Sequence, residues 1–212
     1  MTTLTEQIAA YEVQKKQKVP AELLEIMNGA TRDLVATGIE AQALAVGDSV
    51  PDINLPNANG QSVRLYDLLK QGPVVLNFYR GGWCPYCNFE LGALQAALPE
   101  IKAKGAQLVA ISPQTPDSSL STAEKNALEF EILSDQGNQV AEQFGLVFEL
   151  PESIRGIYDK FGIDVVAHNG EDSFKLPVPA SYVINSDGNV TYAFVNADYT
   201  QRVEPQQLVD AI

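Results

Sequence analysis

The stretch Val74-Val75-Leu76-Asn77-Phe78-Tyr79-Arg80-Gly81-Gly82-Trp83-Cys84-Pro85-Tyr86-Cys87-Asn88-Phe89-Glu90-Leu91-Gly92-Ala93-Leu94 decides how the rest of the chain is read. Its first part is short, branched and aromatic, and two glycines close it, which is the pattern of a buried strand ending in a turn. Leu91, Leu94 and Leu98 then keep helical spacing until Pro99 opposes it, so a helix starts near the cysteines. Cys84 and Cys87 fall at or inside its first turn. Unpaired N–H groups and the positive end of the helix dipole favour an anion there, and a thiolate is such an anion. Two intervening residues let the sulfurs close a disulfide across one turn, and Pro85 suits an early position that needs no donor. Such a setting lowers a thiol pKa from about 8.5 to roughly 7 or below.

Outward from this passage, residues 107–112 form a second continuous buried strand. A strand, a crossover helix and another buried strand make a βαβ unit with parallel strands. Upstream, residues 50–55 read as an edge strand, Asn57-Ala58-Asn59-Gly60 as a turn and residues 61–65 as the returning strand. Downstream come a helix over 117–130, a short strand at 132–135 and a helix over 138–144. Residues 146–178 show little periodicity beyond a helix at 153–161 and read as an insertion, with an exposed polar loop around His168. Residues 180–185 and 190–195 then flank Ser186-Asp187-Gly188-Asn189 as an antiparallel hairpin, and residues 205–212 close with a helix. The order βαβ, helical insertion, ββα is the thioredoxin-like α/β arrangement, a central mixed sheet flanked by helices, here with an N-terminal helical extension.

That extension, residues 1–44, reads as an arm separate from the domain at 45–212. Leu4, Ile8, Tyr11 and Lys15 share one helical face, and Pro20 opens a second helix through Leu23, Leu24, Met27 and Ala30. Lys15-Lys16-Gln17-Lys18 reads as a solvated break. The arm either packs on its own domain or docks on a second subunit to build a homodimer.

A net charge of −13, from 14 basic against 27 acidic residues, argues against nucleic acid or an anionic membrane as partner. No apolar stretch is long enough to span a bilayer, and the N-terminus lacks a signal-peptide pattern, so a cytoplasmic location is expected. Two cysteines in such a chain cannot form a structural disulfide framework. A zinc site needs about four ligands, whereas the one histidine, His168, lies far off in a polar loop. Neither a metal nor another cofactor is called for, and the cysteine spacing points to redox chemistry.

Several stretches spread in order along the chain carry a family resemblance: Gly47-Asp48-Ser49-Val50-Pro51-Asp52, residues 78–90, Ile111-Ser112-Pro113, Leu133-Ser134-Asp135 and residues 182–188. From about Ala45 onward the chain resembles the peroxiredoxin-like branch of the alkyl hydroperoxide reductase and thiol-specific antioxidant family. In that alignment Cys87 falls on the peroxidatic cysteine and Glu90 on a nearby glutamate. The family's proline falls on Arg80, its threonine on Cys84 and its arginine on Pro179. These replacements resemble thioredoxins and glutaredoxins instead. Cys84 stands where they carry their exposed nucleophile, Trp83 precedes it as in thioredoxins, Pro85-Tyr86 is the glutaredoxin dipeptide, and Pro179 falls on their cis-proline, with Pro177 the other candidate.

The resemblance implies a thiol oxidoreductase cycling between dithiol and Cys84–Cys87 disulfide, with hydroperoxide as oxidant and thioredoxin or glutathione/glutaredoxin as reductant. The motif favours, as alternative, a thioredoxin-like or glutaredoxin-like disulfide reductase. A third reading is an interaction module whose cysteines only sense redox state. The attacking thiol is Cys87 by one pattern and Cys84 by the other. Arg80 is read either as a solvated strand-end residue or as electrostatic support for a thiolate, Trp83 and Tyr86 as half-buried anchors, and Glu90 as a first-turn residue favoured by the helix dipole.

Overall fold

The computed structural model describes residues 2–212. Two helices, α1 (Leu4–Lys18) and α2 (Ala21–Ala36), precede a small hairpin of β1 (Asn54–Pro56) and β2 (Ser62–Arg64). A short helix α3 (Leu65–Leu69) leads into β3 (Val74–Phe78), α4 (Pro85–Ala103) and β4 (Gln107–Ser112). Then follow α5 (Pro116–Lys125), β5 (Glu131–Ser134), α6 (Gln139–Gln143), β6 (Val147–Glu149), α7 (Glu152–Lys160), α8 (Val165–Asn169) and β7 (Lys175–Pro177). The hairpin of β8 (Ala180–Ile184) and β9 (Val190–Val195) and a last helix α9 (Pro205–Ala211) complete the chain.

The central sheet has the order β5-β4-β3-β8-β9. β3 runs parallel to β4 and antiparallel to β8, so the βαβ and hairpin units meet on β3. Side chains alternate across a strand: Leu76 and Phe78 enter a core with Ile111, Phe144 and Tyr182, while Val75 faces Leu94, Leu98 and Ile101 of α4 and Leu208 of α9. With both faces covered, every residue of β3 is buried. The carboxyl end of β3 is therefore a fixed platform for the turn into α4.

Four local expectations change. α4 runs through Pro99 to Ala103, because Leu98 and Ile101 on its buried face hold it on the core past the lost N–H donor. α5 stops at Lys125, and Ala127 adopts φ 49°, which turns Leu128 and Phe130 back toward the core. The stretch 146–178 is ordered by its own antiparallel pair, β6 with β7, enclosing α7 and α8. His168 sits on α8 and is half-buried, and neighbouring Asn169 is fully buried, so this is no exposed loop.

The arm lies on its own chain. α1 packs against α4 and α2 against α7. Glu204, just before α9, holds the start of α1 by accepting from the backbone N–H of Leu4 (3.2 Å) and Thr5 (2.7 Å) and from the Thr5 hydroxyl (2.6 Å). No helix among the described residues is long and apolar enough to cross a membrane.

Candidate active site

The turn between β3 and α4 places Cys84 at the N-cap of α4, with Pro85 opening the helix and Cys87 in its first turn. Two glycines make the turn possible. Gly81 has φ 150°, and a Cβ on Gly82 would lie 2.2 Å from Thr122 Oγ1. The Gly82 N–H donates to Gln114 Oε1 (2.8 Å), and the Asn88 side chain donates to its carbonyl (2.8 Å). Both cysteines are free thiols, and both are buried, so Cys84 is not the exposed group its position in the motif suggests.

Arg80 is no solvated residue either: its side chain is 2% exposed. Its guanidinium lies against the rings of Tyr199 (4.4 Å), Trp83 (5.1 Å) and Tyr158 (5.7 Å) and donates to the Tyr158 hydroxyl. Stacking of this kind keeps a cation tolerable away from water. On the other side of the dithiol, Arg202 donates from Nη2 to Cys87 Sγ (3.5 Å). Arg202 Nε is 2.9 Å from Glu90 Oε2 in a buried ion pair whose N–H points off the line to the oxygen. Glu90 thus sits in the second turn of α4, inside the protein, and not at the helix start.

These charges split the two thiols. Burial pushes Cys84 up, but the hydrogen bond from the Cys87 thiol and the fields of Arg80 and Arg202 outweigh it and bring Cys84 down to about 6. Cys87 is pushed well up, by burial first and then by its bond and charge interaction with Cys84. These surroundings favour the thiolate on Cys84 over one on Cys87. Glu90 is raised by burial to about 7 against the opposing pull of Arg202.

A cavity of about 320 Å³ reaches Cys84. Lys15, Val19, Met27, Arg80, Trp83, Tyr86, Tyr158, Phe161 and Tyr199 are among the residues around it, whereas Cys87 does not line it. The arm forms one wall. The ring of Tyr11 meets Tyr86 edge-on at 5.3 Å and Phe89 at 5.6 Å. Lys15 Nζ donates to the Tyr86 hydroxyl (2.8 Å), which donates to Glu12. Lys15, read from sequence as part of a solvated break, is 8% exposed and part of the site.

The AhpC/TSA family profile matches residues 46–193. The chain belongs to that family. Peroxiredoxin Bcp of Escherichia coli is 32% identical over 152 residues, 71% of this chain and 85% of that protein. Chloroplastic peroxiredoxin Q of Triticum aestivum is 28% identical over 158 residues, 73% of this chain and 72% of that one. Among solved structures, peroxidoxin BcpB from Mycobacterium tuberculosis superposes with a TM-score of 0.63 at 25% identity, covering 79% of this chain and 96% of that one. Membership puts the protein among the thiol-dependent peroxidases with the thioredoxin fold, and the disulfide-reductase alternative is not favoured.

Of the residues singled out in the sequence, Cys84, Cys87, Arg80 and Trp83 come together. Pro179 is buried and lines an adjoining cavity between α2 and α7, which shares Met27, Arg80, Tyr158 and Tyr199 with the one that reaches Cys84. No peptide bond among the described residues is cis, so the expected cis-proline is a trans one. Pro177 ends β7, and the His168 ring lies 3.4 Å from the Gln114 side chain. The sequence reading missed Arg202, Tyr158 and Tyr199, which sit in loop or insertion segments without a local signal. It also passed over Tyr11 and Lys15 as site residues, although their shared face with Leu4 and Ile8 was a signal.

Proposed function

We propose that the protein reduces hydroperoxides with Cys84 as the attacking thiolate and Cys87 as the resolving thiol. The observation that carries this is the cavity reaching Cys84 and Arg80 but not Cys87. The Cys84 thiolate attacks the outer peroxide oxygen, the O–O bond breaks, and the leaving alkoxide takes a proton to become an alcohol, leaving Cys84 as a sulfenic acid. Cys87 sulfur attacks the Cys84 sulfur and water leaves, so one hydroperoxide and two thiols become an alcohol, water and the disulfide. Glu90, raised to about 7 and charge-coupled to Cys87, takes the Cys87 proton. Arg80 and Arg202 stabilise the thiolate and the negative charge moving onto oxygen. An external thiol then restores the dithiol.

The test is trapping with dimedone followed by peptide mass spectrometry. Peroxide-treated Cys87→Ser should carry the adduct on Cys84, and Cys84→Ser should carry none. The Arg202 bond to Cys87 Sγ favours a second reading in which Cys87 attacks; an adduct on Cys87 in Cys84→Ser would establish that reading and overturn the first.

Free thiols suit a reducing compartment, and we assign the protein to the cytoplasm. A homodimer through the arm would have to use its outward side, where Val13, Ile26 and Val35 are exposed. Polar replacement of these three should then lower the mass in solution.

A further inference from the structure

We infer that α1 selects the reductant: the disulfide is returned to the dithiol by a low-molecular-weight thiol carrying a carboxylate, and a thioredoxin-sized protein is excluded while α1 is seated. This rests on the dithiol cycle proposed above and adds the class of thiol that closes it. Three observations converge. First, α1 stands where a protein partner would have to bring its sulfur, and Cys84 is 2% exposed beneath it. Tyr11, Glu12 and Lys15 fasten it to Tyr86, inside the CxxC itself. Second, the opening that remains is a cavity of about 320 Å³, roomy beside the roughly 150 Å³ that holds a benzene and far too small for a protein surface. Third, its charged lining residues are Lys15 and Arg80: Lys15 is paired with Glu12 at 3.1 Å, whereas Nε and Nη1 of Arg80 have no hydrogen-bond partner, in a chain whose net charge is −13. A mostly acidic protein that keeps an unpaired guanidinium beside its reactive sulfur attracts a small anion there. The family profile begins at residue 46, so α1 lies outside the part of the chain that it matches.

The exchange balances within these groups. The entering thiolate attacks Cys84 Sγ, the sulfur that lines the cavity. The Cys84–Cys87 bond breaks, and Cys87 leaves as a thiolate beside Arg202 Nη2 and takes a proton. A second thiol attacks the mixed disulfide at its outer sulfur and releases Cys84 as the thiolate. Two small thiols become one small disulfide, and the protein disulfide gains two electrons and two protons.

The experiment forms the disulfide with diamide, so it reads reduction even if peroxide fails to oxidise Cys84. Stopped-flow Trp83 fluorescence then follows its reduction by mercaptoacetate, 2-mercaptoethanol, cysteamine or thioredoxin. Each small thiol's rate is divided by its rate with a free aliphatic disulfide. Wild type should prefer mercaptoacetate over cysteamine by roughly tenfold at low salt, falling as salt rises, and Arg80→Met should remove much of that preference. Thioredoxin should act slowly on wild type and at least about tenfold faster on Tyr11→Ala and on Glu204→Ala. The latter frees the start of α1 and should leave the 2-mercaptoethanol rate unchanged. Thioredoxin reducing wild type as fast as the two variants would overturn the exclusion, and small-thiol rates indifferent to charge would overturn the carboxylate preference.

Discussion

Replacing Arg202 with Met tests whether the Glu90–Arg202 pair is the electrostatic keel beneath the dithiol. At 2.9 Å and an effective dielectric constant of about 20, the attraction is roughly 6 kcal/mol before the cost of burying both ions, and losing one partner of such a pair typically costs about 3–5 kcal/mol. Glu90 has an escape, because it can protonate. Its pKa is raised in the folded protein from 4.5 to about 7, so the folded state binds the proton more tightly than the unfolded chain. Glu90 therefore weighs nothing against stability below 4.5, and stability is lost as pH rises through 7, by about 3 kcal/mol in wild type at 1.36 kcal/mol per unit. Without Arg202 the carboxyl titrates higher still. Arg202→Met should thus cost about 1 kcal/mol near pH 5, mostly lost packing, and about 2 kcal/mol near pH 8, where the variant must hold a proton that wild type has released. Urea unfolding followed by Trp83 fluorescence at both pH values, with the double variant Arg202→Met/Glu90→Gln alongside, measures this. The double variant should be more stable than the single one at the higher pH and show a flatter profile. A pH-independent loss, or a double variant no more stable than the single one, would refute the argument.

Alkylation of reduced protein by iodoacetamide, read by mass, should rise with pH around a midpoint near 6, the value to which its neighbours bring Cys84; Arg80→Met should move that midpoint up by about one unit or more. Gly82→Ala should destabilise the fold by about 1–3 kcal/mol, because its Cβ would lie 2.2 Å from Thr122 Oγ1; Thr122→Ser, which keeps that oxygen, should not rescue it, whereas Thr122→Ala should, both measured by thermal unfolding. Asp135 caps α6 by accepting from the backbone N–H of Val140 (3.0 Å) and Ala141 (2.9 Å), so Asp135→Ala should cost about 2 kcal/mol, seen in urea unfolding.

How far the sequence reaches differs between the frame and the site. Period and punctuation are local properties, so β3, β4, the hairpin of β8 and β9, and the start of α4 at Pro85 are legible from residues 74–112 and 180–195 alone. The CxxC is equally local, and with it the redox chemistry. Pro99 misled the reading of α4 because burial of Leu98 and Ile101 overrides a local donor lost to proline. His168 misled it because a polar pentapeptide tells nothing of the pair β6 and β7 that folds it inward.

The sequence by itself determined the fold class, the dithiol and the family frame, because each is written within one turn or one strand. Only the tertiary structure decided how the two thiols differ. Arg202 is 115 residues from Cys87 in the chain and 3.5 Å from its sulfur, and Tyr199, on the same loop, stacks on Arg80 from the end of β3. It also decided that Lys15 of the arm closes over the site. Electrostatic and hydrogen-bond energies depend on distance in space and on exclusion of water, and neither quantity is a property of position along the chain.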